Sequence, residues 1–347
     1  MSVPDSPRQR RVCLVGLGGT IAMTVSGDQG ARPALAPDEL LAAVPGLAQT
    51  GIAVDPVDLR RLPGASVSFA DLRAAGQVIG EQLAGGAAGI VLVQGTDTIE
   101  ETSYLLDLIH PGPQPIVVTG AMRNSSLAGA DGPANLLAAV QVAADPAWRD
   151  QGALVVMGDE IHAARRVCKA HTSSPAAFSS PTGGPLGYLV EGRPAQLSRL
   201  GYRTVAPFPP TERQPRVAVL PVALGDDGEL LAGLADRLDG LVVAGFGGGH
   251  VPADLVAPLA AVAEQIPVVL ASRTRSGSVM ATSYGFPGSE RDLLARGLIS
   301  AGFLDPFKAR ILLYVVLAAA ATPEQVRAAF GAAGGYADPA GWPWPAP

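Results

Sequence analysis

The chain is poor in the residues that build metal cages and covalent scaffolds. It holds two cysteines, Cys13 and Cys168, and four histidines in 347 residues. Two thiols are too few for a disulfide framework or a thiolate cage. The histidines fall at no ligand-like spacing, so no metal is expected. Cys13 lies in an apolar run and reads as a core residue; Cys168, beside Lys169, reads as packing rather than as a reactive thiol. Charge is scarce too: charged residues make up 16% and the net charge is −6. That balance gives no basic groove for nucleic acid. The longest apolar run, Ile311 to Ala321, falls short of the roughly 20 residues a bilayer span requires, so no membrane partner is expected. The start, Met1 to Arg11, has no apolar segment before Cys13. It reads as holding no signal peptide, which implies a cytoplasmic protein, and residues 1–10 read as a loose polar arm. There is no internal repeat of solenoid length.

What is present is globular. Hydrophobic residues make up 48% of the chain, and its length allows a large core and two domains. The stretch from Gly89 to Thr102 organises the rest. Ile90 to Val93 is an apolar, β-branched run that reads as a buried strand. Gly95 breaks it, and Thr96, Asp97 and Thr98 open a segment with helical spacing at Ile99, Tyr104, Leu105 and Leu108. A hydroxyl and a carboxylate thus stand at the carboxyl end of a strand, the edge where open α/β sheets bind ligands. The plainer alternative is a capping box of Thr98 with Glu101, which leaves Gln94, Gly95, Thr96 and Asp97 unexplained.

The pattern recurs along the chain. Val12 to Val15 reads as a strand followed at once by Gly16-Leu-Gly-Gly-Thr20. Ile21 stands where a dinucleotide fingerprint needs its last glycine, and there is no phosphate-binding G-x-x-x-x-G-K-[ST]. The glycines instead let the backbone approach a small ligand and present Thr20. Residues 24–34 read as a loop, either a lid or a connection. Helices are expected at Pro37–Val44 and Ser68–Leu83, a strand at Pro115–Thr119, a helix capped by Asp131, and a strand at Ala153–Met157. This alternation implies a parallel sheet with helices on both faces. A proline-rich stretch, residues 201–215, reads as a linker between an N-terminal domain, 11–200, and a smaller α/β C-terminal domain, 216–347. There, strands are expected at Val217–Leu220, Leu241–Ala244 and Pro267–Leu270. Helices are expected at Leu230–Leu238, Ala253–Glu264 and Phe307–Ala320, with a last one capped by Thr322. The tail either docks Trp342 and Trp344 or stays loose.

Three strand ends carry unusual polar groups: Gly18-Gly-Thr20, Gly95-Thr-Asp97, and the stretch after Met157 that holds Lys169. A threonine hydroxyl is a weak nucleophile and must lose its proton to a base. A lysine whose pKa is lowered by burial or a nearby cation can be that base, and glycine-rich turns supply N–H groups for an oxyanion.

These residues resemble a family. Leu17-Gly-Gly-Thr-Ile-Ala22 and Gln94-Gly-Thr-Asp-Thr-Ile-Glu-Glu-Thr102 are similar to the two signatures of bacterial-type L-asparaginases. The likeness extends in order through Gly120-Ala-Met-Arg123, Ala130-Asp-Gly-Pro-Ala-Asn-Leu136, Lys169-Ala-His171, Ala177-Phe-Ser-Ser-Pro181 and Phe307-Lys-Ala-Arg-Ile-Leu-Leu313. The Lys169-Ala-His171 stretch looks closer to the cytoplasmic branch. The resemblance implies a two-domain α/β amidohydrolase that cleaves L-asparagine to L-aspartate and ammonia without a cofactor, as a homodimer or homotetramer. It implies that Thr20 is a nucleophile and that Thr96, Lys169 and Asp97 form a second activating set. Asp97 would also hold the substrate α-ammonium, Ser66 beside Ala65 the α-carboxylate, and the carbonyl of Ala121 the leaving amide, with Gly19 and Gly95 in contact.

The chain departs from the family's pattern at three places. The tyrosine usually supplied by the loop after the first threonine has no counterpart: residues 21–40 contain none, and Ala31 and Arg32 stand near its place. Either another hydroxyl, such as that of Thr24 or Ser26, serves in its place, or Thr20 is less well activated. The usual serine-glutamine pair is reduced to Ala65 and Ser66. The neighbouring subunit's asparagine and glutamate map near His250 and Tyr284, and the second is no acid. The alternatives are a glutaminase or related amidase, the latter including a tRNA amidotransferase subunit, for which the basic surface is missing, and a weakly active amino-acid-binding protein. Elsewhere His110 reads as solvated, His162 and His171 as structural neighbours of Lys169, and Arg165 and Arg166 as a solvated face.

Overall fold

The structure, a computed structural model, describes residues 10–25, 31–33, 35–208 and 214–345. It divides into two compact units, Met1–Arg203 and Thr204–Pro347. That boundary falls within the stretch read as a linker. Residues 1–9 of the N-terminal arm, Ser26, and most of the segment read as a lid lie outside the described residues.

In the first unit strands alternate with helices. β1 (Arg11–Gly18) is followed by a small hairpin, β2 (Met23–Val25) with β3 (Ala31–Pro33), and by α1 (Pro37–Ala42). Next come β4 (Ala53–Leu62), α2 (Phe69–Ala84), β5 (Gly89–Val93), α3 (Ile99–Ile109), β6 (Ile116–Thr119), α4 (Gly132–Ala144) and β7 (Ala153–Met157). Then β8 (Glu160–Ala163), β9 (Cys168–Lys169), β10 (Phe178–Ser179), β11 (Gly187–Val190) and β12 (Arg193–Gln196) complete the unit. The main sheet runs β12-β11-β8-β7-β6-β5-β1-β4. Strands β4, β1, β5, β6 and β7 are mutually parallel, and β8, β11 and β12 extend the β7 edge with antiparallel pairings.

Every residue of β5 is buried, because a central strand covered on both faces has no solvent side to alternate toward. Val91 and Val93 share one core cluster with Val12, Leu14, Val117, Leu154 and Val156, packed with Ala139, Val140 and Ala143 of α4. The pleat sends Cys13, Ile90 and Leu92 to the other face, the side covered by α2 and α3. Each such fully buried side chain contributes about 1.5–3 kcal/mol of burial. β4 lies on one side of β1 and β5 on the other. The connections leaving β1 and β5 therefore run to opposite sides of the sheet and open a crevice at their carboxyl ends.

The second unit holds β13 (Val217–Pro221), β14 (Gly240–Gly245), α5 (Val256–Ala263), β15 (Val268–Ser272), α6 (Glu290–Ala295), β16 (Ile299–Ser300), α7 (Pro306–Ala318) and α8 (Pro323–Ala333). Its four strands pair in parallel, in sequence order. Asp305 caps α7 by accepting the N–H groups of Phe307 and Lys308, and the buried Lys308 ammonium returns a 2.9 Å bond to the same carboxylate. A capping box of Thr322 with Gln325 opens α8, as one of Ser68 with Asp71 opens α2. The helix expected at Leu230–Leu238 does not form. Glu229–Leu231 makes one 3₁₀ turn, then Gly233 at φ +67° turns the chain away. Trp342 docks, donating from its indole N–H to the Val205 carbonyl at 2.8 Å and meeting Trp344 edge to face. Among the described residues, no helix is long and apolar enough to cross a membrane.

Candidate active site

Glycines bring four turns of the first unit into backbone contact. Gly19, at φ +88° after β1, has its N–H on the Leu62 carbonyl at the end of β4. A methyl group on Gly19 would lie 2.0 Å from the nitrogen of Gly95 and 2.4 Å from the carbonyl carbon of Gln94. One on Gly95 would lie 2.5 Å from the nitrogen of Gly64, and one on Gly120 2.5 Å from the Gln94 oxygen and 3.4 Å from Thr96 Cγ2. Only hydrogen fits at these contacts, and the residue or two after each glycine supply the candidate side chains. Thr20 follows Gly19, Thr96 follows Gly95, Ala65 and Ser66 follow Gly64, and Ala121 follows Gly120. Ala121 is fully buried, while Ala65 and Ser66 are exposed.

Lys169 reaches this group from β9. Its Nζ is 3.0 Å from Thr96 Oγ and 2.9 Å from an Asp97 carboxylate oxygen. Thr96 is buried, the Lys169 side chain is largely buried, and the Asp97 side chain is 59% exposed. The acid is thus the open member, with accessible surface left for a cationic ligand. A hydroxyl at 3.0 Å from an amine is within reach of proton transfer. These three side chains were expected together on sequence grounds, and they are together here.

Two residues serve differently from the expectation. Thr98 occupies the N-cap of α3, but its side chain makes no cap hydrogen bond. Its hydroxyl instead donates to the Gly64 carbonyl at 3.0 Å and accepts from Gln94 Nε2 at 3.1 Å. The tertiary partners outcompete the local ones, and the bond ties the Ser66 turn to the Thr96 turn. Asp131 precedes α4, yet its carboxylate makes no cap bond either. It accepts the N–H groups of Met122 and Arg123 at 2.9 and 2.8 Å. Asn135 donates to the Gly120 carbonyl and accepts from Gly158, both at 3.0 Å. Asp131 and Asn135 together hold the loop that carries Ala121. Sequence reasoning left Asn135 without a role, and the i, i+4 spacing from Asp131 on α4 was the signal available.

His250 and Tyr284 lie in the second unit, with ring centroids 5.0 Å apart. The carboxylate that His250 meets is Glu290. It is fully buried, 3.1 Å from His250 Nε2, and accepts the N–H groups of Ser283 and Tyr284 at 2.8 Å each. Burial opposes its ionisation, but these hydrogen bonds outweigh it and hold the carboxyl below its ordinary range. The side chain of Thr24 and all of Ser26, the substitute hydroxyls, lie outside the described residues.

Further corrections concern the cations. His110 is buried, not solvated: its Nε2 meets the Gln114 carbonyl at 2.8 Å, and burial pushes the imidazole down to about 4. Arg165 is no solvated charge. Its guanidinium lies 3.6 Å from the buried Asp107 carboxylate and 5.0 Å over the Tyr202 ring. Arg166, half-buried, donates to the Gly183 carbonyl at 3.3 Å. Among the described residues, no group of three or more His, Cys, Asp or Glu side chains could hold a metal ion.

Comparison with known proteins adds the following. Residues 11–199 match the family model "Asparaginase, N-terminal", and residues 216–330 match the "Glutaminase/Asparaginase C-terminal domain". A probable L-asparaginase of Deinococcus radiodurans is 40% identical over 325 residues, 92% of this chain and 97% of that protein. A glutaminase-asparaginase of Pseudomonas fluorescens is 31% identical over 337 residues, 91% of this chain and 88% of that one. The crystal structure of a probable cytoplasmic L-asparaginase from Campylobacter jejuni superposes with a TM-score of 0.83 at 30% identity, covering 93% of this chain and 99% of that one.

Proposed function

The chain belongs to the asparaginase family, and from that premise we propose that it hydrolyses L-asparagine to L-aspartate and ammonia with threonine nucleophiles. The observation that carries the reading is the hydrogen-bonded set Thr96–Lys169–Asp97, with Nζ at 3.0 Å and 2.9 Å from its two partners. A threonine oxygen adds to the side-chain amide carbon as its proton passes to a base. The carbon–nitrogen bond then breaks, ammonia leaves with a proton, and water releases aspartate from the acyl-enzyme. In this scheme Thr20 attacks and Thr96, with Lys169, manages the proton traffic. Asp97, open to solvent, takes the α-ammonium, and Ser66 takes the α-carboxylate. The Ala121 carbonyl receives the leaving nitrogen, and the N–H groups at the glycine turns face the oxyanion.

A glutaminase is the second reading, supported by the likeness to the Pseudomonas glutaminase-asparaginase and by the missing glutamine beside Ser66. Ammonia release with L-asparagine, with L-glutamine and with buffer alone separates the two. Release from neither amide would leave an amino-acid-binding protein. The same proposal includes a homodimer or homotetramer in which the second unit presents His250 and Tyr284 to a neighbouring subunit's site. The partly exposed rings of Tyr284 and Phe286 support it. Cytoplasmic residence is inferred with it, from the description of the Campylobacter protein.

A further inference from the structure

Glu100 is a buried carboxylate to which the mechanism above gives no task. It stands in the first turn of α3, 6% exposed, and its Oε2 accepts the backbone N–H of Lys169 at 3.0 Å. Asp97 lies three residues before it, and residues at i and i+3 at the start of a helix lie on one side. Two acids one turn apart thus hold one residue at both ends, Asp97 by the ammonium and Glu100 by the backbone. Lys169 needs the second hold because its own element offers little. β9 is two residues long and pairs only with the equally short β10 among the described residues, outside the main sheet. A long, rotatable side chain on so small a strand would not be fixed by the strand alone. Glu100 sits on the segment that carries Thr96 and Asp97, so it references the lysine backbone to the atoms its amine must reach.

We propose that Glu100 is a positioning residue for the hydrolysis, setting the location of Lys169 so that Nζ lies in line with the Thr96 hydroxyl. This rests on the reading of Thr96 and Lys169 given above. Loss of the carboxylate should displace Lys169 by a fraction of an ångström to an ångström, and misplacement on that scale can cost about 100-fold in rate. The test uses the full chain with L-asparagine. Glu100→Ala should lower kcat by about 10- to 100-fold with KM changed less than about twofold. Glu100→Gln, which keeps an acceptor oxygen of the same reach, should restore most of the loss. Amide hydrogen exchange at Lys169 should speed up in Glu100→Ala and return toward the wild-type rate in Glu100→Gln. If Glu100→Ala does not fold, Glu100→Asp, with its carboxylate withdrawn by one methylene, takes its place with the same expectations.

A kcat near wild type despite a faster-exchanging Lys169 amide overturns the proposal. So does a Glu100→Gln variant as slow as Glu100→Ala, or unchanged exchange at Lys169 in Glu100→Ala. Thr96→Ala, assayed alongside, keeps the two claims apart. An active Thr96→Ala refutes the underlying reading, whereas an inactive Thr96→Ala beside an active Glu100→Ala refutes the positioning role alone.

Discussion

Replacing Gly19 by alanine tests how the site is assembled. The native backbone there has φ +88° and ψ −175°, a region essentially confined to glycine that costs a non-glycine residue about 1–3 kcal/mol. The new methyl would also meet backbone rather than side chain, 2.0 Å from Gly95 N. To restore an ordinary 3.4 Å contact, the Gly19 and Gly95 turns must separate by about 1.4 Å. Neither can retreat freely, since Gly95 is already against Gly64 on its other side. Overpacking of this kind costs about 1–3 kcal/mol, so the sum is roughly 2–6 kcal/mol. A unit of this size loses about 2–4 °C of Tm per kcal/mol, which gives a fall of roughly 4–24 °C. Because the overlap moves Thr20 away from Thr96, kcat at 25 °C should fall about 100-fold in the protein that remains folded. Differential scanning calorimetry and ammonia release measure the two effects separately. Gly51→Ala is the control: φ is +68°, but nothing lies within 4 Å of the added methyl. It should lose about 1 kcal/mol and no activity. A Gly19→Ala enzyme with wild-type kcat would refute the claim that these glycines align the two threonines.

Two further outcomes are expected. Thr98→Val keeps the shape of the side chain but removes its bonds to Gly64 and Gln94. KM for L-asparagine should rise several-fold with kcat little changed, and an unaltered KM would mean that the Ser66 turn is held by other means. His110 contributes to acid sensitivity. Burial holds its folded-state pKa at about 4, while the unfolded chain takes up the proton near 6.5. Stability is therefore full above about pH 6.5 and is lost as pH falls toward 4, by on the order of 2–3 kcal/mol. Urea unfolding at several pH values should show this loss, reduced in His110→Gln; curves of equal slope for the two proteins would count against the assignment.

Much of the fold could be read from local pattern. β5 announces itself because a fully covered strand is continuously apolar, and the boxes at Ser68 and Thr322 mark helix starts through bonds within four residues. Elements whose stability is tertiary were hidden. β4 is a half-exposed edge strand containing Asp55, Pro56, Asp58, Arg60 and Arg61, and it presents no apolar run. Thr98 and Glu101 have the spacing of a capping box, yet the hydroxyl is taken by a carbonyl 34 residues away. In the candidate site, Thr20, Thr96 and Asp97 stood out because glycines and hydroxyls clustered at strand ends. The Glu100 bond to Lys169 spans 69 residues, and the Glu290 bond to His250 spans 40. Nothing in the local sequence distinguishes such a glutamate from a solvated one.

The account stands on Thr96 acting with Lys169 on an amide. Ammonia release from L-asparagine by purified Thr96→Ala, with its folding verified by calorimetry, tests this most directly. The expected result is a fall in kcat of at least about 1000-fold with little change in Tm, since the methyl group and hydroxyl removed are small. Full activity in that variant would contradict the account.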